Sequence, residues 1–180
     1  MKIYLAGPEV FLPDPISKGA ALKAICTKYG AEGLFPMDNE LGDEEHGSVA
    51  EAAYIRAANM KLITACDAIV ANMTPFRGPS MDVGTAYEVG AGAALGKVVV
   101  GYTSDRTSFV VKVSKAFEVK RGEDGLLRDA DGMAVEEFGK GEEALVDNLM
   151  IACGVEKLCD SAEEAIKTAV EIFEGKGKTV

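Results

Sequence analysis

Short apolar runs alternate with longer stretches of helical periodicity along most of this chain. The apolar runs predict strands at 2–6, 33–36, 68–73, 97–102 and 155–158, and the helical patterns lie at 17–29, 48–66, 84–95, 142–153 and 162–173. Strands that alternate with helices favour a parallel sheet with helices on its faces. We therefore predict an α/β fold: a doubly wound, five-stranded parallel sheet in a flavodoxin-like (Rossmann-like) three-layer sandwich, with strand order 2-1-3-4-5.

The interval 103–140 interrupts this alternation, because it is charged, contains glycine and is only weakly periodic. Excursions of this length in a compact domain are uncommon unless they are functional or disordered. A plain surface loop or small hairpin, a lid, and a contact with a partner all remain open. Residues 1–173 are predicted to form a single domain that includes this excursion, and residues 174–180 a flexible tail.

Charge and hydropathy narrow the classes of partner. The 180 residues are 48% hydrophobic, which suits one compact domain, and the net charge of −10 lacks the basic surface of a nucleic-acid-binding protein. No run approaches the about 18 apolar residues of a membrane span, and the amino-terminal run is too short for a signal peptide. We expect no nucleic-acid or membrane partner and a cytoplasmic location.

Carboxylates are the abundant reactive groups. The four cysteines follow no CxxC spacing, and a single histidine, His46, leaves a zinc site without enough ligands. We therefore predict neither a metal nor a cofactor. In doubly wound sheets ligands collect beyond the carboxyl ends of the strands. Here the loops after the first three predicted strands are rich in carboxylates and aromatic side chains, at 7–11, 37–40 and 74–82.

Two carboxylates six residues apart, Asp82 and Glu88, straddle the start of the third predicted helix. Glu88 is expected in the first helical turn, where the helix dipole favours an ionised nucleophile. Asp82 is expected in the preceding loop, where burial and a neighbouring negative charge favour a protonated acid. Cleavage of a glycosidic bond uses such a pair, one carboxylate attacking the anomeric carbon and the other protonating the leaving group.

A purely structural interpretation of both residues remains open. Thr85 to Glu88 has the spacing of a capping box, in which Thr85 caps the helix and Glu88 folds back onto it. Asp82 is also a common kind of turn residue.

The chain resembles the nucleoside 2-deoxyribosyltransferase family over nearly its whole length. The similar blocks, in chain order, are Ile3 to Pro8 with Val10-Phe11, Phe35 to Asn39, Asp67 to Asn72, Asp82 to Gly90, and Asp147 to Met150. Each block is weakly specific, whereas all five in order are specific. The resemblance implies that Glu88 is the nucleophile that forms a deoxyribosyl ester. It also implies that Asp82 contacts the substrate and assists protonation of the base, and that Tyr4 positions the nucleophile.

The resemblance also implies a set of substrate-binding residues. Phe11 matches the aromatic residue that covers the nucleobase, and Gly7 lies in the same loop. Asp38 and Glu40 stand where the family contacts the edge of the base, although Glu40 replaces the glutamine of the family pattern. Asp67 corresponds to an acidic residue at a strand edge, where a turn residue that opens a strand is the alternative interpretation.

Asn148 resembles an asparagine that the family donates to the neighbouring subunit's site, where it holds a sugar hydroxyl, and Met150 lies beside it. The resemblance therefore implies a homo-oligomer with shared sites. The implied reaction, in nucleoside salvage, exchanges the base of a 2′-deoxynucleoside for a free purine or pyrimidine base by double displacement.

Three other functions remain open at this point. One is a deoxynucleoside or deoxynucleotide N-glycosidase of the same superfamily, and another is a phosphoribohydrolase of the cytokinin-activating type. The third is a non-catalytic nucleoside-binding module on the same fold.

Overall fold

The computed structural model describes residues 1–39 and 42–177. Within these residues the main sheet contains five parallel strands in the order β2-β1-β3-β4-β7. Seven strands occur in chain order: β1 (Lys2–Ala6), β2 (Glu32–Leu34), β3 (Ala68–Asn72), β4 (Val98–Tyr102), β5 (Val119–Arg121), β6 (Leu127–Asp129) and β7 (Lys157–Cys159). The fifth predicted strand corresponds to β7. The predicted α/β fold and the predicted strand order are therefore confirmed.

Helices cover both faces of this sheet. They are α1 (Pro15–Lys28), α2 (Val49–Ala65), α3 (Val83–Ala94), α4 (Phe109–Ala116), α5 (Leu149–Ala152) and α6 (Ala162–Gly177). Helices α1 and α6 pack together on one face, whereas α2 and α3 pack on the other. The result is the three-layer sandwich that the alternating pattern predicts.

The alternation of side chains along β1 decides which residues reach the α2/α3 face. Successive side chains of a strand point to opposite faces. Ile3 and Leu5 are buried in the cluster beneath α1 and α6, whereas Tyr4 and Ala6 are buried in the cluster beneath α2 and α3. Tyr4 therefore points towards the helix that carries Glu88.

The region after β4 differs from the prediction in two places. The excursion 103–140 ends in the antiparallel hairpin of β5 and β6, which was one of the open alternatives, but it begins with a helix, α4, that was not predicted. The helix predicted at 142–153 is reduced to the four residues of α5, preceded by a 3-10 turn at Gly141–Glu143. Residues within 142–148 instead bind distant segments: the carbonyl of Leu145 accepts the backbone N–H of Phe109, and the carboxylate of Asp147 accepts the backbone N–H of Met81.

The carboxyl-terminal helix is longer than predicted. Helix α6 continues to Gly177, so the prediction of a flexible tail is wrong for 174–177, and residues 178–180 lie outside the described residues. None of the helices in the described ranges is long and apolar enough to cross a membrane.

Two glycines of α3 form a matched pair for testing how this helix packs on the sheet. A Cβ atom at Gly92 would lie 2.1 Å from Cδ1 of Ile69 on β3, whereas a Cβ at Gly90 would meet nothing within 4 Å. We expect Gly92→Ala to lower the free energy of unfolding by about 1–3 kcal/mol through overpacking. Gly90→Ala should raise it by up to about 1 kcal/mol through helix propensity. Urea denaturation of both variants measures this, and equal effects would contradict the close packing of α3 on β3.

Candidate active site

The pair formed by Tyr4 and Glu88 is the centre of the candidate site. The hydroxyl of Tyr4, in the middle of β1, donates a 2.6 Å hydrogen bond to Oε1 of Glu88 on α3. The side chain of Tyr4 is fully buried, so its ring is fixed by the surrounding core. The bond therefore holds one oxygen of Glu88 in place and leaves the other oxygen for a different partner.

Helix α3 begins earlier than the sequence predicts, and this changes the roles of both carboxylates. Asp82 is the N-cap: its Oδ2 accepts the backbone N–H of Thr85 at 2.8 Å and the Thr85 hydroxyl at 3.0 Å. Thr85 is thus inside the helix, and the capping box predicted for Thr85 to Glu88 is wrong. Glu88 is the sixth helical residue, so the expectation that it lies in the first turn is also wrong.

Burial raises the pKa of Glu88 to about 7. This value already includes the negative charge of Asp82, which raises the pKa, and the hydrogen bond from Tyr4, which lowers it. Burial and the Glu88 carboxylate also raise the pKa of Tyr4, which keeps the phenol protonated as a donor. The expectation that the helix dipole would keep Glu88 readily ionised is therefore wrong, because desolvation outweighs it at this position.

A groove of about 460 Å³ between α2 and α3 gives access to Glu88. Its lining residues are Ala52, Ile55, Arg56, Asn59, Met60, Ile63, Gly84, Tyr87 and Glu88. Most of the lining is apolar, and polar groups come mainly from Arg56, Asn59 and Glu88. An apolar cleft with a few convergent polar groups is the usual form of a small-molecule site.

Sequence reasoning missed the residues that α2 contributes to this groove. Asn59 accepts a 3.0 Å hydrogen bond from Nδ2 of Asn39, which follows β2, and Arg56 donates a 2.6 Å hydrogen bond to the Tyr87 hydroxyl. The buried Ile63 shares one face of α2 with Ala52, Ile55, Arg56 and Asn59, because these residues precede it at helical spacing. This helical spacing is the feature of the sequence from which the contribution of α2 to the groove could have been predicted.

Of the two residues after β2 that were predicted to contact the edge of the base, the structure describes one. Asp38 lies at the carboxyl end of β2, where Oδ1 is 2.6 Å from Nζ of Lys23 and Oδ2 accepts the backbone N–H of Phe35. Glu40 lies outside the described residues. Neighbouring Asn39 connects this loop to the groove through Asn59.

Phe11 lies on the surface rather than in the lining of the groove. Its ring is 56% exposed and stacks on Phe76 at a centroid distance of 5.5 Å, and the guanidinium of Arg77 lies over both rings. Loops after β1 and β3 are thereby joined by aromatic contacts at the carboxyl edge of the sheet.

Gly7 is required by the close approach of a buried carboxylate that sequence analysis did not assign to the site. A Cβ atom at Gly7 would lie 2.0 Å from Oε2 of Glu9. Oε1 of Glu9 accepts hydrogen bonds from Asn72 at 2.8 Å and Tyr102 at 2.7 Å. Glu9 therefore ties together the carboxyl ends of β1, β3 and β4.

Asp67 is not brought to the site. It precedes β3 at the amino edge of the sheet, where its Oδ2 accepts the backbone N–H of Lys2 at 2.7 Å. Glu88 and the loops with the other predicted residues lie towards the carboxyl edge, so the structure supports the alternative interpretation of Asp67 as a residue that opens a strand.

Asn148 is the N-cap of α5, and both polar atoms of its side chain form hydrogen bonds. Nδ2 donates to Oε1 of Glu136 at 2.6 Å, and Oδ1 accepts the backbone N–H of Met150 at 3.0 Å. The side chain of Met150 is 76% exposed. Among the described residues neither Asn148 nor Met150 hydrogen-bonds to Glu88 within one chain.

A larger cavity, of about 760 Å³, lies on the β7 side of the sheet. Arg106 and Asp160 form an ion pair in its wall, and the segment 141–146 covers part of it. None of the predicted site residues lines it. We therefore assign the candidate active site to the smaller groove, which contains the reactive carboxylate.

Comparison with known proteins agrees with this geometry. The family model for nucleoside 2-deoxyribosyltransferase matches residues 3–150. The chain belongs to the nucleoside 2-deoxyribosyltransferase family. An uncharacterised protein of Schizosaccharomyces pombe is 34% identical over 182 residues, covering 94% of this chain and 86% of that protein.

Solved structures of the nucleoside 2-deoxyribosyltransferase family have the same fold. A 2-deoxyribosyltransferase of Leishmania mexicana is 36% identical, with a TM-score of 0.72 over 94% of this chain and 97% of that chain. A 2-deoxyribosyltransferase of Bacillus psychrosaccharolyticus is 23% identical, with a TM-score of 0.51 over 64% of this chain and 82% of that one. The second match supports the fold alone. The chain is thus a nucleoside deoxyribosyltransferase-like enzyme.

The pKa of Glu88 gives a direct test of the Tyr4 contact. A titration of the Glu88 carboxyl followed by NMR should have its midpoint near pH 7. Tyr4→Phe removes the one contact that lowers this pKa, so we expect the midpoint to rise by at least about 1, since a hydrogen bond to a charged group contributes about 1.5–3 kcal/mol. A midpoint that stays unchanged in Tyr4→Phe would contradict the hydrogen bond.

Proposed function

We propose that this protein transfers 2-deoxyribose between nucleobases through a covalent ester on Glu88. The observation that carries the proposal is the 2.6 Å hydrogen bond from the buried Tyr4 to Glu88, on the wall of a groove of nucleoside size. A carboxylate oriented in this way, in a chain of this family, fits the role of nucleophile.

In the first step the oxygen of Glu88 that does not bind Tyr4 attacks C1′ of a 2′-deoxynucleoside. The bond from C1′ to the base nitrogen breaks, and its electron pair leaves with the base. Burial makes the carboxylate anion costly, as the raised pKa indicates, and formation of a neutral ester removes that charge. The hydrogen bond from Tyr4 stabilises the anion enough for a useful fraction to be ionised near neutral pH.

Asp82 is the proposed group that contacts the substrate and protonates the departing base. It lies six residues before Glu88, at the start of the same helix, and its charge acts on Glu88. General acids in such positions contribute about 10²–10⁴-fold to the rate. A base that leaves with a proton is a neutral molecule, which is a far better leaving group than its anion.

In the second step a nitrogen of the incoming base attacks C1′, its N–H proton passes to the carboxylate of Asp82, and Glu88 leaves as a carboxylate. The two inversions give net retention at C1′. A 2′-hydroxyl withdraws electrons from an oxocarbenium-like transition state, which favours deoxyribose over ribose as the transferred sugar. Glycosyl exchange of this kind needs only the two carboxylates and the bound base.

The substrate is proposed to be an uncharged nucleoside rather than a nucleotide. Nucleotide-binding loops after the first strand usually present backbone N–H groups to a phosphate. Here Pro8 lacks an N–H, and the buried carboxylate of Glu9 would repel a phosphate. We propose that Gly7, Phe11 and Asp38, which lie at the carboxyl edge of the sheet, contact the base together with Glu40, which lies outside the described residues.

The active sites are proposed to be shared between subunits of a homo-oligomer. Asn148 would bind a sugar hydroxyl in the neighbouring subunit's groove, with Met150 packed beside it. The exposed position of Met150 and the largely exposed apolar face of α2 are consistent with contacts between subunits.

Incubation with deoxyinosine or thymidine and free adenine tests the reaction. We expect new deoxyadenosine and little free deoxyribose, measured by chromatography. Glu88→Gln keeps the shape of the side chain and an acceptor for Tyr4 but cannot form the ester, so transfer should fall on the order of 1,000-fold or more. Circular dichroism of the same variant serves as the folding control.

Other outcomes of this assay would reject the proposal. Release of deoxyribose at the same rate with and without adenine would identify an N-glycosidase. No turnover, with binding of the nucleoside by calorimetry, would identify a non-catalytic binding module. Full activity of Glu88→Gln would reject the ester intermediate.

Shared sites are tested by mixing two inactive variants. Glu88→Gln removes the nucleophile, and Asn148→Ser removes the donated amide while keeping a good N-cap. In a dimer, random assortment of equal amounts of the two variants should restore roughly one quarter of wild-type activity, because about half of the dimers are mixed and each mixed dimer carries one intact site out of two. A mixture no more active than its components, or a fully active monomer in size-exclusion chromatography, would contradict shared sites.

A further inference from the structure

A buried carboxylate, Asp147, connects two parts of the proposed site that are distant in sequence. Asp147 is 1% exposed and lies directly before Asn148. Its Oδ1 accepts the Ser80 hydroxyl and, at 2.8 Å, the backbone N–H of Asn148, and its Oδ2 accepts the backbone N–H of Met81 at 2.8 Å. The residue after Met81 is Asp82.

The loop before Asp82 is also held by the buried side chain of Met81 and by one internal hydrogen bond. The backbone N–H of Phe76 donates to the carbonyl of Ser80, which closes the loop on itself. Beyond that closure, Asp147 binds the two residues that immediately precede Asp82, namely Ser80 and Met81. A displacement of Asp147 would therefore shift the start of α3 and the carboxylate of Asp82.

Lys112 of α4 supplies a positive group close to this carboxylate. Its side chain is 7% exposed, and its Nζ is buried without a hydrogen-bond partner in the part of the chain that the structure describes. Burial lowers the pKa of Lys112, whereas the negative charges of Asp147 and Asp105 raise it. An unpaired buried amine is costly, and the negative charges of Asp147 and Asp105 reduce that cost.

We propose that Asp147 is a positioning residue that fixes Asp82 and Asn148 together. The inference rests on the proposed function, because Asp82 and Asn148 matter only if deoxyribosyl transfer occurs. In an oligomer with shared sites, Asp147 would join the acid of one site to the sugar-binding asparagine of the next.

The variant Asp147→Asn tests this with little change in volume. A carboxylate only accepts hydrogen bonds, whereas an amide offers one accepting oxygen and one donating nitrogen. In the variant at least one of the N–H groups of Met81 and Asn148 faces another N–H. The start of α3 should therefore move even if the fold is kept, as a thermal unfolding measurement checks.

Two donor substrates separate positioning of the acid from general damage. 2′-Deoxyguanosine needs a proton on its leaving base, whereas 7-methyl-2′-deoxyguanosine already carries a cationic base and needs none. With adenine as acceptor, Asp147→Asn should lower kcat by about 10²-fold for the first donor and by much less for the second. Asp82→Asn should give the same selectivity. Asp147→Asn should also displace Asn148, which is proposed to bind the sugar, so KM should rise by a similar factor for both donors.

The same comparison works for an enzyme that accepts only pyrimidines. Thymidine then replaces deoxyguanosine, and 5-fluoro-2′-deoxyuridine, whose base leaves more readily as an anion, replaces the methylated donor. Ser80→Ala removes a single donor to Asp147 and should show the same selectivity at smaller amplitude. The exposed Asp160→Asn serves as a matched control with wild-type kinetics.

Three results would overturn the inference. An equal loss of kcat for both donors in Asp147→Asn and in Ser80→Ala would mean general damage. Wild-type kinetics in Asp147→Asn would mean that Asp147 positions nothing. If the wild type itself transfers no deoxyribose from any of these donors, the proposed function fails and the inference fails with it.

Discussion

The hydrogen bond between Tyr4 and Glu88 joins the middle of the first strand to a helix 84 residues later in the chain. It forms only if β1 lies inside the sheet, with β3 beside it, and if α3 packs on the face to which Tyr4 points. The sheet order, the alternation along β1 and the packing of α3 therefore all contribute to the position of one carboxylate. The remaining features of the candidate site are arranged around this contact.

Burial gives Glu88 two opposing properties. The core that fixes the ring of Tyr4 also removes water from the carboxylate, which raises its pKa to about 7. A desolvated anion costs free energy in the resting protein, and in the proposed reaction the same cost would favour conversion into a neutral ester. The bond from Tyr4 limits the cost without cancelling it, and the nearby charge of Asp82 adds to it. Stability and reactivity are thus in competition at this residue.

A second set of buried polar groups holds the segments next to the candidate site in place by hydrogen bonds. Glu9 binds Asn72 and Tyr102 at the carboxyl ends of the central strands, and Asp147 binds the loop before Asp82. Each carboxylate accepts more than one donor, as a buried anion requires. Glu136, which follows the β5/β6 hairpin, holds the side chain of Asn148 and the backbone N–H of Leu149. The excursion 103–140 therefore helps to hold the start of α5 in place.

The sequence by itself determined the layers and the strand order, and it singled out Glu88 as the candidate nucleophile through the family resemblance. These depend on local signals: apolar runs in β1, β3 and β4, helical periodicity between them, and motif residues such as Glu88. Tertiary structure decided where α3 begins, because capping by Asp82 depends on how the loop returns from β3. It also decided the contribution of α2 to the groove, the pKa of Glu88 and the partners of Asp147. These features depend on burial and on contacts between distant segments, and no local pattern specifies either.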